Sequence, residues 1–128
     1  MKKNLPLTLA LLFLVGICLM AQKPADLVGT WVGDANLDGM DPNELTLVLT
    51  LKDGKLAGQM TGQYGTLNEA PMSEVTLEKD IFSFSVMAEG PQGEVAIKFK
   101  MKVSGGSMEG ELDIPDMGMT GTWEANKQ

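Results

Sequence analysis

The chain lacks the side chains on which much enzyme and nucleic-acid chemistry depends. It contains no His and no Arg, and its single Cys, Cys18, lies in an apolar segment near the N-terminus. Without Arg there is no planar donor group for phosphates and no basic stripe for a nucleic-acid backbone, so we predict no nucleic-acid partner. Without His or a second Cys, the usual general base and thiol nucleophile are missing. We predict that the protein is not an enzyme and needs no cofactor; a carboxylate pair, as in glycoside hydrolases, is the catalytic alternative.

The N-terminal segment has the layout of a secretory signal peptide. Two lysines form its basic start, an apolar run extends from Leu5 to Met20, and the small residue Ala21 follows. This order predicts cleavage near Ala21 and export of the remainder to the periplasm or the medium. We therefore predict a signal peptide over residues 1–21 and a single domain over residues 22–128.

Two other fates of this segment remain open. Cys18 is a candidate site of lipid attachment, although bacterial lipoprotein signals have a small residue where Ile17 stands. The apolar run is also a candidate membrane anchor, although it contains Pro6 and is short for a span of about 20 residues. In each case we predict no stable insertion of residues 22–128 into a membrane.

The chain that follows this segment is strongly acidic. Eight of the ten lysines remain against 17 Asp and Glu residues, which gives a net charge of −9. Such a charge mainly keeps a secreted protein in solution. No Cys remains for a disulfide, so the apolar core alone must hold the fold in an oxidising compartment.

The stretch 95–114 gives the clearest structural signal. In its first arm, large apolar side chains alternate with Ala or Lys side chains that would face outward. This is the two-residue period of a half-buried strand. Gly105 and Gly106 suit a tight turn between two strands. A turn there places Phe99 opposite Leu112 on the inner face and three lysines opposite three carboxylates on the outer face. The predicted charged pairs are Lys98 with Asp113, Lys100 with Glu111, and Lys102 with Glu109.

Further turn signals divide most of the remaining chain into hairpins. They lie at Asp53-Gly54, Lys79-Asp80, Gly90-Pro91 and Pro115-Asp116. Alternating segments on both sides of each turn are predicted to pair with their apolar side chains on one common face. The connection 63–71 has no readable pattern. The predicted inner pairs are Leu51 with Leu56, Leu49 with Gly58, Leu47 with Met60, Leu77 with Phe82, Val75 with Phe84, Phe84 with Ile97, Leu112 with Met119, Gly110 with Gly121, and Met108 with Trp123.

These hairpins amount to eight strands, and no segment has a helical period of useful length. Because no helix can cover the apolar face, the sheet must either stack a second layer on it or curl until it covers itself. Pairing the first strand with the last would also remove both edges. We predict an all-β fold, an eight-stranded antiparallel up-and-down barrel, closed or incompletely closed. An open bent sheet or a flattened sandwich is the alternative.

The arrangement of motifs resembles that of the calycins, the lipocalin and avidin-type barrels. Their first strand carries Gly-x-Trp, here Gly29-Thr30-Trp31, and a meander of hairpins follows, here beginning with the hairpin around Asp53-Gly54. The chain is also similar to short secreted bacterial β proteins with paired Gly-Thr-Trp motifs, since Gly121-Thr122-Trp123 repeats the first motif. The resemblance implies a lipocalin-like barrel. In lipocalins a basic residue of the last strand, usually Arg, packs over the Trp; this chain has no Arg, and Lys127 follows Trp123.

The inward-facing row gives the main candidate site. Small barrels can hold one ligand inside or at the mouth, and an inner surface of apolar side chains would suit a small apolar molecule. Inward glycines at positions 58, 110 and 121 are expected to leave room beside these side chains. The candidate ligand-binding residues are Trp31, Met60, Phe84, Phe99, Met101, Met119 and Trp123.

The loop after the first strand gives a second candidate, a calcium site. Asp34, Asn36 and Asp38 alternate before Gly39 as in the first half of a calcium loop, and Glu44 stands close to the place of the final bidentate ligand. Glu44 is one residue too early, however, and no helix flanks the loop. The alternative is an acidic loop whose Asp and Asn residues suit tight turns.

Two functions follow from these features. The first is a secreted binding or accessory protein that holds a small apolar molecule. The alternative is a structural or protein-interaction module with a filled core, which would act on a secreted protein partner. An internal void of about 300 Å³, near the lower limit of ligand pockets, would favour the first function.

Overall fold

The computed structural model describes residues 22–128. The predicted signal peptide over residues 1–21, with Cys18, lies outside the described residues. The described part contains nine strands and two short 3₁₀ turns, Pro24–Leu27 and Pro115–Met117. The strands are β1 (Gly29–Leu37), β2 (Asn43–Lys52), β3 (Lys55–Gly62), β4 (Ala70–Pro71), β5 (Ser73–Glu78), β6 (Ile81–Gly90), β7 (Gly93–Ser104), β8 (Ser107–Ile114) and β9 (Met119–Lys127).

All nine strands form one antiparallel sheet that curls into a nearly closed barrel. The strand order is β4-β3-β2-β1-β9-β8-β7-β6-β5. The first strand therefore lies beside the last, with Ala35 of β1 opposite Trp123 of β9. The prediction of an all-β, antiparallel, up-and-down barrel whose first and last strands pair is confirmed.

The prediction of eight strands is wrong, because the connection without a readable pattern contributes a ninth. This additional strand is β4, which consists of Ala70 and Pro71 and pairs with β3. Pro71 has no N–H to extend the ladder. The next amide, Met72 N–H, still donates to the Gly58 carbonyl at 2.9 Å before the chain moves away to pair with β6. The segment 70–78 thus spans the two edges of the sheet and brings the barrel close to closure.

The registers around three two-residue turns, at residues 53–54, 79–80 and 105–106, agree with the prediction. Phe99 lies opposite Leu112, and the three lysines of β7 lie opposite the predicted carboxylates of β8. The β2–β3 and β5–β6 turns also have the predicted pairs next to them. Leu51 is the exception on the inner face, since 42% of its surface is exposed at the end of β2.

Two predicted registers and one predicted pair are wrong, and each error has a local cause. The β6–β7 turn is centred one residue later than predicted, so Phe84 lies opposite Phe99 and not Ile97. Between β8 and β9, the Pro115–Met117 turn and Gly118, with a φ of 63°, make a four-residue connection. The resulting partners are Gly110 with Trp123, Leu112 with Gly121, and Met108 with Ala125. Val75 was predicted to pair with Phe84, but it falls in a β-bulge and has no regular partner.

The middle of the barrel is filled by aromatic rings. Phe84 stacks on Phe99 with centroids 4.7 Å apart, and Phe99 meets the edge of Trp123 at 5.6 Å. The Trp123 indole N–H donates to the Gly33 carbonyl at 2.9 Å, so its polar atom is satisfied inside the core. This layer of aromatic rings separates the interior near one end of the barrel from the interior near the other end.

The two ends are built from different connections. At one end, which we call the base, the turns are short; they comprise residues 53–54, 79–80 and 105–106. At the other end, which we call the mouth, the connections are longer on average; they comprise residues 38–42, 63–69, 91–92 and 115–118.

The base is closed by the N-terminal part of the described chain. Leu27 is fully buried, and its carbonyl accepts a hydrogen bond from the Trp31 indole N–H at 2.9 Å. Lys127 places its Nζ 6.0 Å from the centroid of the Trp31 ring and donates to the Asp26 carbonyl at 3.0 Å. The Pro24–Leu27 turn therefore acts as a plug that β1 and β9 both hold in place.

Candidate functional site

An apolar cavity of about 360 Å³ lies at the mouth, above the aromatic rings. The deepest aromatic ring that lines it is Phe99. Other buried side chains of its wall come from β1, β2, β6, β7 and β8; they are Ala35, Leu45, Ala88, Ile97, Leu112 and Ile114. The volume lies within the range of small-molecule pockets, near its lower limit of about 300 Å³.

Few polar groups reach into this cavity. The polar residues of its lining are Asn43, Tyr64, Thr66 and Glu89. Predominantly apolar walls with a small number of polar groups are typical of ligand sites. A wider hollow of about 560 Å³ lies on the outer wall, but lysines, carboxylates and threonines surround it and it lacks such walls.

The connection 63–69 forms part of the mouth. Its Leu67 side chain is 2% exposed and points into the cavity as part of the core. The Glu89 amide donates to the Thr66 carbonyl at 3.0 Å, which fixes the connection to β6. On the other side, the Tyr64 hydroxyl donates to the Pro42 carbonyl at 3.2 Å. The connection therefore bridges two sides of the mouth and narrows it.

The outer edge of the cavity exposes large side chains to solvent. Met40, Tyr64 and Met117 line the cavity and are 57%, 59% and 48% exposed. They come from three different connections of the mouth. A ligand in the cavity would cover them.

Of the seven side chains predicted to bind a ligand, the structure brings Phe99 to the cavity. Trp31 is fully buried against the plug at the base. Met119 is partly buried and packs against the core. The remaining four are almost completely buried below the cavity and line none of it; they are Met60, Phe84, Met101 and Trp123.

The inward glycines do not leave the space that was expected. A Cβ on Gly110 would lie 2.0 Å from the Lys100 carbonyl oxygen, and one on Gly121 would lie 2.3 Å from that of Asn36. At Gly58 the corresponding distance to the Val48 carbonyl oxygen is 2.6 Å. These glycines allow neighbouring backbones to approach closely, and the free volume lies elsewhere, at the mouth.

The four residues of the predicted calcium site lie on the outside of the barrel. Asp34 and Glu44 are register partners on β1 and β2, while Asn36 lies opposite Thr122 of β9. Asp38 borders the hollow on the outer wall. Among residues 22–128, no three or more Asp or Glu side chains come close enough together to hold a metal ion. The calcium site remains a prediction without a converging set of carboxylates.

The residues that line the cavity were mostly missed by sequence reasoning. Ile97 and Leu112 belong to strands that were predicted correctly, but the sequence could not show at which depth the packed core ends. Tyr64 and Leu67 lie in the connection that had no readable pattern. A signal was nevertheless present, since an isolated Tyr and an isolated Leu in a polar connection are candidates for contacts with the barrel.

The fold and the cavity together define a small, nearly closed antiparallel β-barrel with a plugged base and an apolar hollow at its mouth. Comparisons of the chain with protein-family models, with curated proteins and with solved structures found no match. Within residues 22–128, no helix has the length and apolar character needed to cross a bilayer.

Proposed function

We propose that the protein is an exported, non-catalytic binding protein whose barrel mouth holds a small, largely apolar ligand. The observation that carries this proposal is the 360 Å³ cavity with apolar walls. A filled barrel would need no such space, because protein interiors are packed to high density.

The contacts at the base support a calycin-like assignment. In the lipocalins, which the chain resembles in its Gly-Thr-Trp motif, a basic residue packs over the tryptophan. Here Lys127 lies over Trp31 and donates to Asp26 in the plug. The plugged base and the hollow mouth suit a ligand that enters from one end.

The export part of the proposal comes from the N-terminal sequence. The basic start, the apolar run and Ala21 favour removal of residues 1–21 by a signal peptidase. The acidic domain would then act in the periplasm or outside the cell.

A second candidate function is docking of an apolar segment from a secreted protein partner. It is favoured by the exposed Met40, Tyr64 and Met117 side chains around the mouth. Methionine-rich surfaces adapt to partners of different shape. Both functions use the same end of the barrel and differ in what fills it.

Native mass spectrometry of the protein recovered from its own producing cells would test the proposal. We expect a retained molecule of small mass, and a polypeptide mass that begins after residue 21. A polypeptide mass that includes residues 1–21 would contradict cleavage and favour the membrane-anchor alternative, and a lipid on Cys18 would favour the lipoprotein alternative. A stoichiometric protein in place of the small molecule would favour the second function.

A cavity-filling variant tests the location of the site. Ala88 is 5% exposed and lines the cavity, so Ala88→Leu adds carbon atoms to the space that the ligand would use. We expect it to weaken binding of the uncharged apolar dye Nile red by about tenfold or more, measured by fluorescence titration. Ala57→Leu, the same change at a partly exposed position of β3 outside the cavity, serves as the control and should leave binding unchanged. Equal dye affinity in both variants would place the site elsewhere.

A further inference from the structure

Most of the net negative charge of residues 22–128 lies at the mouth end of the barrel, where Glu89 is the carboxylate that lines the cavity. We define the rim as the connections of the mouth with the adjoining strand ends, residues 38–44, 63–69, 89–94 and 113–118. The rim contains eight Asp and Glu residues and no lysine. At the base, five lysines balance five carboxylates over residues 22–29, 52–55, 78–81, 104–107 and 124–128. The rim thus has a charge of −8, while residues 22–128 as a whole have −9.

Three rim glutamates border one hollow next to the cavity. Glu89 lines the cavity and also an adjoining hollow, which Glu69 and Glu94 line as well. Glu89 and Glu94 are register partners on β6 and β7. Like charges directly opposite each other destabilise a sheet, so a bound cation would relieve a repulsion that the fold itself retains.

The three glutamates are arranged too openly for a metal ion. Among the described residues, no three acidic side chains are close enough to share one. Calcium and magnesium require several oxygen ligands at about 2.0 to 2.6 Å. An organic ammonium group needs no such contact, because its attraction to carboxylates acts over several ångströms.

An exposed aromatic ring stands at the same rim. Tyr64 lines the cavity and is 59% exposed, and the hydrogen bond from its hydroxyl to Pro42 holds the ring at the mouth. Aromatic faces attract ammonium groups, and this interaction is used to recognise quaternary ammonium ligands.

We propose that the ligand of the mouth cavity is a small amphipathic cation. Its apolar body fills the cavity above Phe99, and its ammonium group lies at the rim near Tyr64 and the three glutamates. The inference rests on the proposed function, since it requires that the cavity binds a small molecule. Anionic amphiphiles such as fatty acids would place like charge against the rim and bind more weakly.

Three ligands with the same decyl chain separate the effect of charge from that of apolar burial. Decyltrimethylammonium, decanol and decanoate are each titrated below micellar concentrations into the protein expressed from the full sequence, with calorimetric detection. We expect the cation to bind about tenfold more tightly than decanol, and decanoate to bind most weakly. High NaCl should weaken binding of the cation and leave that of decanol unchanged, because salt screens exposed charges.

Paired variants test the role of the glutamates beside the cavity. Glu89→Gln with Glu94→Gln should weaken binding of decyltrimethylammonium by about fivefold or more, and should change that of uncharged decanol by less than about twofold. The matched control is Glu109→Gln with Glu124→Gln, because Glu109 and Glu124 are also register partners but lie on β8 and β9, outside the cavity. The control should keep the cation affinity of the unmodified protein.

The possible outcomes distinguish this inference from the proposed function. Equal affinities for the three ligands, or a cation affinity that survives Glu89→Gln with Glu94→Gln, would overturn the inference and leave an uncharged apolar ligand. Absence of binding for all three ligands would overturn the proposed function as well.

Discussion

At the scale of single residues, glycines let neighbouring strands of the barrel approach each other closely. Gly33 of β1 is the tightest position, since a Cβ there would lie 1.6 Å from the Glu124 carbonyl oxygen of β9. The Gly33 carbonyl also accepts the indole N–H of Trp123. Any side chain at position 33 would push apart β1 and β9, which are neighbours in the middle of the sheet.

We therefore expect Gly33→Ala to lower the free energy of unfolding by about 2 kcal/mol or more, since overpacking against rigid backbone is costly. Denaturant unfolding followed by tryptophan fluorescence measures this change. Gly106→Ala is the control, because a Cβ there has no atom within 4 Å. The control should change the stability by no more than about 0.5 kcal/mol. An unfolding midpoint of Gly33→Ala equal to that of the unmodified protein would contradict the explanation.

At the scale of elements, the Pro24–Leu27 turn is too short to be stable alone and depends on its neighbours. Leu27 contributes its buried side chain, and Lys127 joins the turn to the last strand through the Asp26 carbonyl. The ammonium group also lies over the Trp31 ring, where exposed cation–π contacts contribute about 0.5 to 1 kcal/mol.

Lys127→Met should accordingly lower the free energy of unfolding by about 0.5 to 1.5 kcal/mol and speed hydrogen exchange of the Val28 amide, which bonds within the turn. Lys127→Arg should keep both properties near their original values, because the guanidinium retains the positive charge and N–H donors and can lie flat over the indole ring. Lys55→Met, at an exposed position of the base, controls for the general loss of a positive charge. Equal effects of Lys127→Met and Lys55→Met would show that the contact with the plug contributes nothing.

Sequence reasoning succeeded for the elements whose registers depend on local chemistry. Alternation and a two-residue turn place Phe99 opposite Leu112, because a shift by one residue would expose the whole apolar row. The predicted pairing of β8 with β9 was shifted by two residues, because the sequence does not reveal that Pro115–Met117 forms a 3₁₀ turn. Such a shift by two keeps each side chain on its face, so the barrel was predictable despite it.

The candidate site was less predictable than the fold, because it depends on depth along the barrel and not on which face a side chain occupies. Met60 and Phe99 both face inward, yet Met60 is packed in the core and Phe99 borders the cavity. Alternation alone cannot distinguish the two. The connection with Tyr64 and Leu67 determines the shape of the mouth through tertiary contacts, which have no local sequence pattern.

At the scale of the whole molecule, the two ends of the barrel have different composition and different tasks. The base has short turns, a plug and balanced charges, so it stabilises the fold. The mouth has longer connections, the apolar cavity and nearly all of the excess negative charge. Because carboxylates concentrated at one end repel one another, the charge at the mouth should lower the free energy of unfolding. The packing and contacts at the base should offset this loss.

This repulsion predicts a dependence of stability on salt. At about 10 mM salt the screening length is about 30 Å, so carboxylates across the mouth repel one another, whereas at about 500 mM they are largely screened. We expect the melting temperature to rise by about 3 to 6 °C between these concentrations of NaCl, measured by circular dichroism, because a relief of roughly 1 kcal/mol shifts the midpoint by that order in a domain of this size. The rise should be smaller for Glu89→Gln with Glu94→Gln and unchanged for Glu109→Gln with Glu124→Gln, since the lysine-balanced regions gain little from screening. A melting temperature that stays constant or falls with salt would mean that the lysine–carboxylate pairs of the outer wall outweigh the rim, and that the charge at the mouth imposes no strain for a cationic ligand to relieve.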